Sequence, residues 1–122
     1  MSFVNRLNSD KANAADLITK VYNLANYIYT NSVTISNSLM AKNWNTISVS
    51  AVVTLKAVDV NGLPIFQIPA EIAPKAIIKK RFVIDTTYFA DIILNTQGVM
   101  TVYPNGIDII GKSIPFDFTW II

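Results

Sequence analysis

Tyr103, Asn105 and Asp108 fall together at one turn of the chain, around Pro104-Asn105-Gly106. An aromatic ring, an amide and a carboxylate are the groups that hold a sugar. The ring packs on the apolar face of a pyranose, and the amide and carboxylate hydrogen-bond its hydroxyls. Trp44 is the one large side chain in a polar stretch from Asn31 to Asn45 and offers a second platform of the same kind. Trp44, Tyr103, Asn105 and Asp108 are therefore the candidate saccharide-binding residues. Asp108 and Asp117 form the alternative pair for chemistry, because glycoside hydrolysis needs two carboxylates on opposite sides of a bond. Nothing in the sequence gives either one the buried or like-charged setting that would separate an acid from a base. Both read as solvated strand residues, so no catalytic residue is assigned and an enzyme is not expected.

The chain has 122 residues with no histidine and no cysteine. Disulfides, thiolate or imidazole metal sites, and Ser-His or Cys-His catalysis are excluded. No metal and no cofactor is expected. A net charge of +2 is too small to argue for nucleic acid. Lys79-Lys80-Arg81 is the one dense charge run. On a strand, Lys79 and Arg81 share a face while Lys80 falls in register with Ile78 and Phe82, so that Lys80 snorkels past that face or a bulge resets the alternation. The run reads first as an edge strand protected from pairing by its charges, and second as an attraction for phosphate-bearing wall polymers. The start, MSFVNRLNSDK, lacks the apolar core of a secretory signal, and no apolar run reaches the roughly 20 residues of a membrane span. The expectation is synthesis in a cytoplasm, release by lysis and no membrane insertion.

These groups need elements to position them. Hydrophobic residues make up 52% of the chain and charged residues only 15%, a surplus of apolar surface for which a subunit interface is an outlet. Leu7, Ala14, Val21 and Ile28 recur every seven residues, with Leu17 and Leu24 at the intervening positions. That spacing predicts an N-terminal α-helix within residues 1–31, in which Asp10 either interrupts the pattern or instead caps a helix from about Lys11 to Tyr29. The helix is either bundled as a trimerisation segment or lying on its own domain. The trimer-interface candidates are Leu7, Ala14, Leu17, Val21, Leu24 and Ile28. Residues 32–46 read as loop.

Strand periodicity governs residues 47–122. Ile47, Val49, Ala51, Val53, Leu55 and Ala57 alternate with polar residues. Asn61-Gly62 predicts a type I′ hairpin, and the prolines of Leu63–Pro69 predict an edge strand or extended segment. Further strands are expected at Ala76–Ile84, Tyr88–Asn95, Val99–Tyr103 and Ile107–Ile110. In the closing stretch Ile114, Phe116, Phe118, Trp120 and Ile122 share one face, which predicts a strand well inside a sheet. The fold class is mainly β: an antiparallel β-sandwich, jelly-roll-like, preceded by an N-terminal α-helix.

IPAEIAPKAI, with Pro69 and Pro74, followed by a strand pair and LNTQGVMTVYPNGIDIIGKSIPFDFTWI, resembles the C-terminal domains of bacteriophage tail fibres and baseplate receptor-binding proteins. Ile93, Gly98, Val99, Thr101 and the terminal Thr119-Trp120-Ile121 take the places of that family's glycine-bearing segment and final strand. The similarity is to head or shoulder domains of receptor-binding proteins from siphophages of Gram-positive bacteria. It implies a homotrimer in a virion tail, contacts with other tail or baseplate proteins, and, for head-like members, binding of host cell-wall saccharide. A purely structural, shoulder-like connector is the alternative, as is a lectin-like or spore-coat module of similar shape.

Overall fold

Where apolar and polar residues alternate without a break, the chain forms strands whose two faces differ sharply in burial. The computed structural model describes residues 20–59, 61–105 and 107–122. The described residues form eight strands: β1 (Lys20–Tyr22), β2 (Val33–Asn43), β3 (Thr46–Leu55), β4 (Leu63–Gln67), β5 (Ile78–Val83), β6 (Phe89–Leu94), β7 (Val99–Pro104) and β8 (Ser113–Ile121). β3 buries Ile47, Val49, Ala51, Val53 and Leu55, and β8 buries Ile114, Phe116, Phe118 and Trp120. Ser48 and Ser50 of β3, like Asp117 and Thr119 of β8, stay in solvent.

The strands make two four-stranded antiparallel sheets, ordered β1-β2-β3-β8 and β4-β7-β6-β5. Their inner faces share one core, so the molecule is a β-sandwich. Aromatic rings stitch the layers together. Phe82 of the second sheet lies edge-on to Phe118 of the first at 5.5 Å and to Phe116 at 6.2 Å, geometries that add about 0.5–1.5 kcal/mol each to simple burial. Trp120 donates its indole N–H to the Ile72 carbonyl at 2.8 Å, anchoring the 3-10 helix Ala70–Ile72.

The topology departs from a jelly roll, which needs two Greek keys. The chain changes sheet after β3 and returns after β7, and among the described strands only the second sheet is a Greek key, with β4 beside β7 of the β5-β6-β7 meander. Asn61-Gly62 accordingly closes no hairpin. Its turn, with the Gly62 N–H on the Asp59 carbonyl, carries the chain from one sheet to the other. Among the described strands β8 sits at a sheet edge rather than well inside, paired only with β3.

Three further expectations are corrected. The expected helix lies mostly outside the described residues, but its last part is strand β1, the 3-10 helix Leu24–Tyr27 and an extended run. Leu24 is 1% exposed because it plugs the core, and Ile28 bridges to Phe66 of β4; tertiary packing overrides helical spacing here. Most of the expected loop 32–46 is β2, eleven residues long. Ile107–Ile109 is a 3-10 helix, not a strand, with Ile109 buried. The predicted edge segment Leu63–Gln67 does lie at an edge, where the Tyr29 N–H bonds the Ile65 carbonyl at 2.8 Å. Among the described residues no helix is long and apolar enough to cross a membrane.

Candidate functional site

The four candidate saccharide residues separate into two groups at opposite ends of the sandwich. Trp44 occupies the tip of the β2–β3 hairpin, at the end where Thr46 pairs with Ile121. Tyr103, Asn105 and Asp108 lie at the other end, where the Gly111 N–H bonds the Leu55 carbonyl. The ten residues of β3 run between those ends, a span of roughly 30 Å at about 3.3 Å per residue. Trp44 therefore shares no site with the other three. It is 65% exposed with φ of 58°, a left-handed conformation that bulky residues seldom adopt.

At the other end the loops are tied together from short polar residues upward. Asp85 accepts from the N–H groups of Thr87 and Tyr88, each at 2.8 Å, which shapes the β5–β6 turn. Those two bonds hold the Asp85 carboxyl below its ordinary range, with a further contribution from Lys112. Lys112 sits 3.7 Å from Asp85 and over the Tyr88 ring. Asn105 donates its amide to the Thr87 carbonyl at 3.0 Å, and its backbone N–H bonds Phe89. Asn105 thus braces the β7–β8 connection against the β5–β6 turn. Tyr103 emerges beside it on the outer face of the second sheet. A Cβ on Gly62 would lie 2.7 Å from the Tyr103 ring, so glycine lets that ring rest against backbone. Asp108 is exposed in its 3-10 helix.

The sequence reading missed what faces Tyr103 across the sheet. Arg81, Asp91 and Tyr103 are successive cross-strand partners on β5, β6 and β7. Arg81 grips Asp91 bidentately, Nε to Oδ1 at 2.8 Å and Nη2 to Oδ2 at 3.2 Å. The Arg81 guanidinium also stacks 4.0 Å from the centroid of Phe89. Lys79 reaches the same carboxylate at 4.0 Å. The Asp91 side chain is only 16% exposed; the Arg81 hydrogen bond outweighs that partial desolvation and holds its carboxyl below the ordinary range. Two cations against one carboxylate leave this face net positive, flanked by Phe89 and Tyr103. Alternation within β5 and β6 was the available signal, but nothing in the sequence pairs residue 81 with residue 91.

Other expected contacts resolve by packing. Lys80 snorkels: no register shift interrupts the β5–β6 pairing, and its ammonium lies over the Phe82 and Phe118 rings, donating to the Asp117 carbonyl at 3.0 Å. Asp117 is midway along β8, its carboxylate 3.6 Å from Lys80, while Asp108 is in the 3-10 helix before that strand. Of the six trimer-interface candidates, Leu7, Ala14 and Leu17 lie outside the described residues. Leu24 and Ile28 are spent within the domain, and Val21 on β1 is 66% exposed.

No family model matches the sequence, and no curated protein matches it. Among solved structures the chain is similar to the receptor binding protein (gp15) of Listeria phage PSA, with a TM-score of 0.64 at 15% identity. The match covers 97% of this chain and 75% of the other. The fold is that of a phage receptor-binding protein.

Proposed function

We propose that the protein is a bacteriophage tail or baseplate component that serves host adsorption by binding cell-wall saccharide, and that it is a binder and not a catalyst. The observation that carries this reading is the fold likeness to a phage receptor binding protein over 97% of the chain. The outer face of the second sheet supports it. Tyr103 and Phe89 supply aromatic surface, and Lys79 and Arg81 supply cations for the phosphate or carboxylate groups of wall polymers. Such a face binds weakly as a single copy, so the working unit is a homotrimer carried in several copies on a virion tail, where multivalency raises avidity. The virion is released by lysis of the cell in whose cytoplasm the chain is made.

The test is titration of the purified protein with isolated Gram-positive cell-wall polymers, alongside light scattering across a dilution series. Millimolar or tighter binding that weakens several-fold in Tyr103→Ala or Arg81→Ala, together with a mass three times that of the chain, is expected. A persistent monomer overturns the trimer. Absence of polymer binding overturns the adsorption role and favours a structural tail connector, which the bracing role of Asn105 would suit.

A further inference from the structure

A second concave surface lies away from the face just described. Where the 3-10 helix Leu24–Tyr27 passes beside the end of β4, the surface opens into a groove of about 500 Å³ lined by Asn26, Tyr27, Tyr29, Gln67, Ile68 and Pro69. None of its lining residues is charged. Gln67 pairs with Val99 and Leu63 with Val102, so the groove is at the opposite end of β4 from Gly62 and the Tyr103 ring.

Both walls are held in place. Leu24 is sunk in the core, Asn23 caps the 3-10 helix by accepting from the Ala25 N–H at 3.2 Å, and Tyr29 is tied to β4 through the Ile65 carbonyl. Opposite, the Ile68 N–H bonds the Gly98 carbonyl at 3.0 Å, and Pro69 leads into the helix that Trp120 anchors. The polar groups between these walls are unspent. Among the described residues, no hydrogen bond engages the side-chain amide of Asn26 or Gln67 or the hydroxyl of Tyr27 or Tyr29. Tyr29 is 55% exposed. Two amides each offering donors and acceptors, two phenols and no charge match a ligand rich in hydroxyls and without ionised groups.

The geometry points to this groove as a binding site for an uncharged pyranose unit, distinct from the cationic face near Tyr103. One tyrosine ring packs on the sugar's apolar face while Asn26 and Gln67 hydrogen-bond its hydroxyls. Rigid walls reduce the ordering cost of binding. Assigning the sugar to a host wall polymer rests on the adsorption reading; the site itself does not.

The experiment is a two-dimensional amide NMR titration of the full chain with methyl glycosides of glucose, galactose and N-acetylglucosamine at millimolar concentration. Saturable shifts at residues 26–29 and 67–70 are expected with at least one probe. Tyr29→Ala and Gln67→Ala should each weaken that binding about tenfold, while Tyr103→Ala leaves it unchanged. Tyr29→Phe, which keeps the ring, should retain most of the affinity and the native melting temperature, separating lost stacking from lost folding. Shifts confined to the Tyr103 end, no shifts with any probe, or full affinity in Tyr29→Ala would overturn the inference. Binding of whole wall polymers by the wild type, with no glycoside shifting residues 26–29 and 67–70, would leave the adsorption reading standing while this site falls. Glycoside binding in the groove without polymer or cell binding would do the reverse.

Discussion

Single residues set the most stringent local demands in this molecule. Gly98 and Gly111 both have positive φ, 88° and 81°, so either would strain as alanine. Their surroundings differ. A Cβ at Gly98 would meet the Ile68 carbonyl oxygen at 2.5 Å, whereas one at Gly111 would meet nothing within 4 Å. Gly111→Ala should cost about 1 kcal/mol for conformation alone, and Gly98→Ala about 1–3 kcal/mol more, because the β6–β7 turn must move off Ile68. Urea unfolding of the two variants checks the order; equal losses would mean that the Ile68 contact relaxes freely. Gly98→Ala should also disturb the tyrosine-lined groove, since Ile68 forms part of its wall.

At the scale of elements, the sheets leave edges that must not recruit other chains. Among the described strands β5 and β8 are the edges on one side of the sandwich. Lys80 spans them, donating to the Asp117 carbonyl with its ammonium over the Phe82 and Phe118 rings. A charge placed across an edge in this way blocks further strand pairing. The ion pair to Asp117 is exposed and adds little stability by itself. Lys80→Ala should therefore change the melting temperature little while raising concentration-dependent aggregation, read by light scattering during heating. A large loss of stability without aggregation would show that Lys80 serves packing instead. The strand β2 shows how an element hides from sequence patterning. Its pairing with β3 shifts between Ser36 and Leu39, with Asn37 in the left-handed conformation at φ 50°. Val33 is buried before that bulge and Met40 after it. Met40 lies seven positions after Val33, an odd offset that simple alternation puts on opposite faces, so the segment imitates a polar loop.

Across the whole molecule, acid is the condition that should reveal the electrostatics. Asp91 and Asp85 are both held below the ordinary aspartate range, by the Arg81 hydrogen bond and by the Thr87 and Tyr88 N–H groups respectively. A carboxyl with a lower pKa folded than unfolded binds protons more readily when unfolded. Its stabilisation is complete above the unfolded value, about 3.9, and is lost as pH falls through the folded value. Melting temperature should be flat from about pH 7 to 5 and fall below about pH 4. Asp91→Asn should make that fall shallower; an unchanged slope would show that the Arg81 grip contributes nothing to folding.

What the sequence by itself determined is local. Uninterrupted alternation marks the buried faces of β3 and β8, because period two is a property of each strand alone. The prolines of Leu63–Pro69 and the charges of Lys79-Lys80-Arg81 mark edges, because a missing N–H and a solvated charge are excluded from a sheet interior for reasons any single strand carries. The tertiary structure decided everything that depends on who sits opposite whom. Leu24 and Ile28 have helical spacing, but the open edge beside β4 needed an apolar plug and an extended cover, and burial there outweighed propensity. Trp44 and Tyr103 have the same composition-level claim to a sugar, yet the length of β3 holds them at opposite ends. Asn26, Tyr29 and Gln67 form one groove only because Tyr29 hydrogen-bonds along β4. No periodicity encodes that contact; it arises from long-range pairing, which only the folded chain supplies.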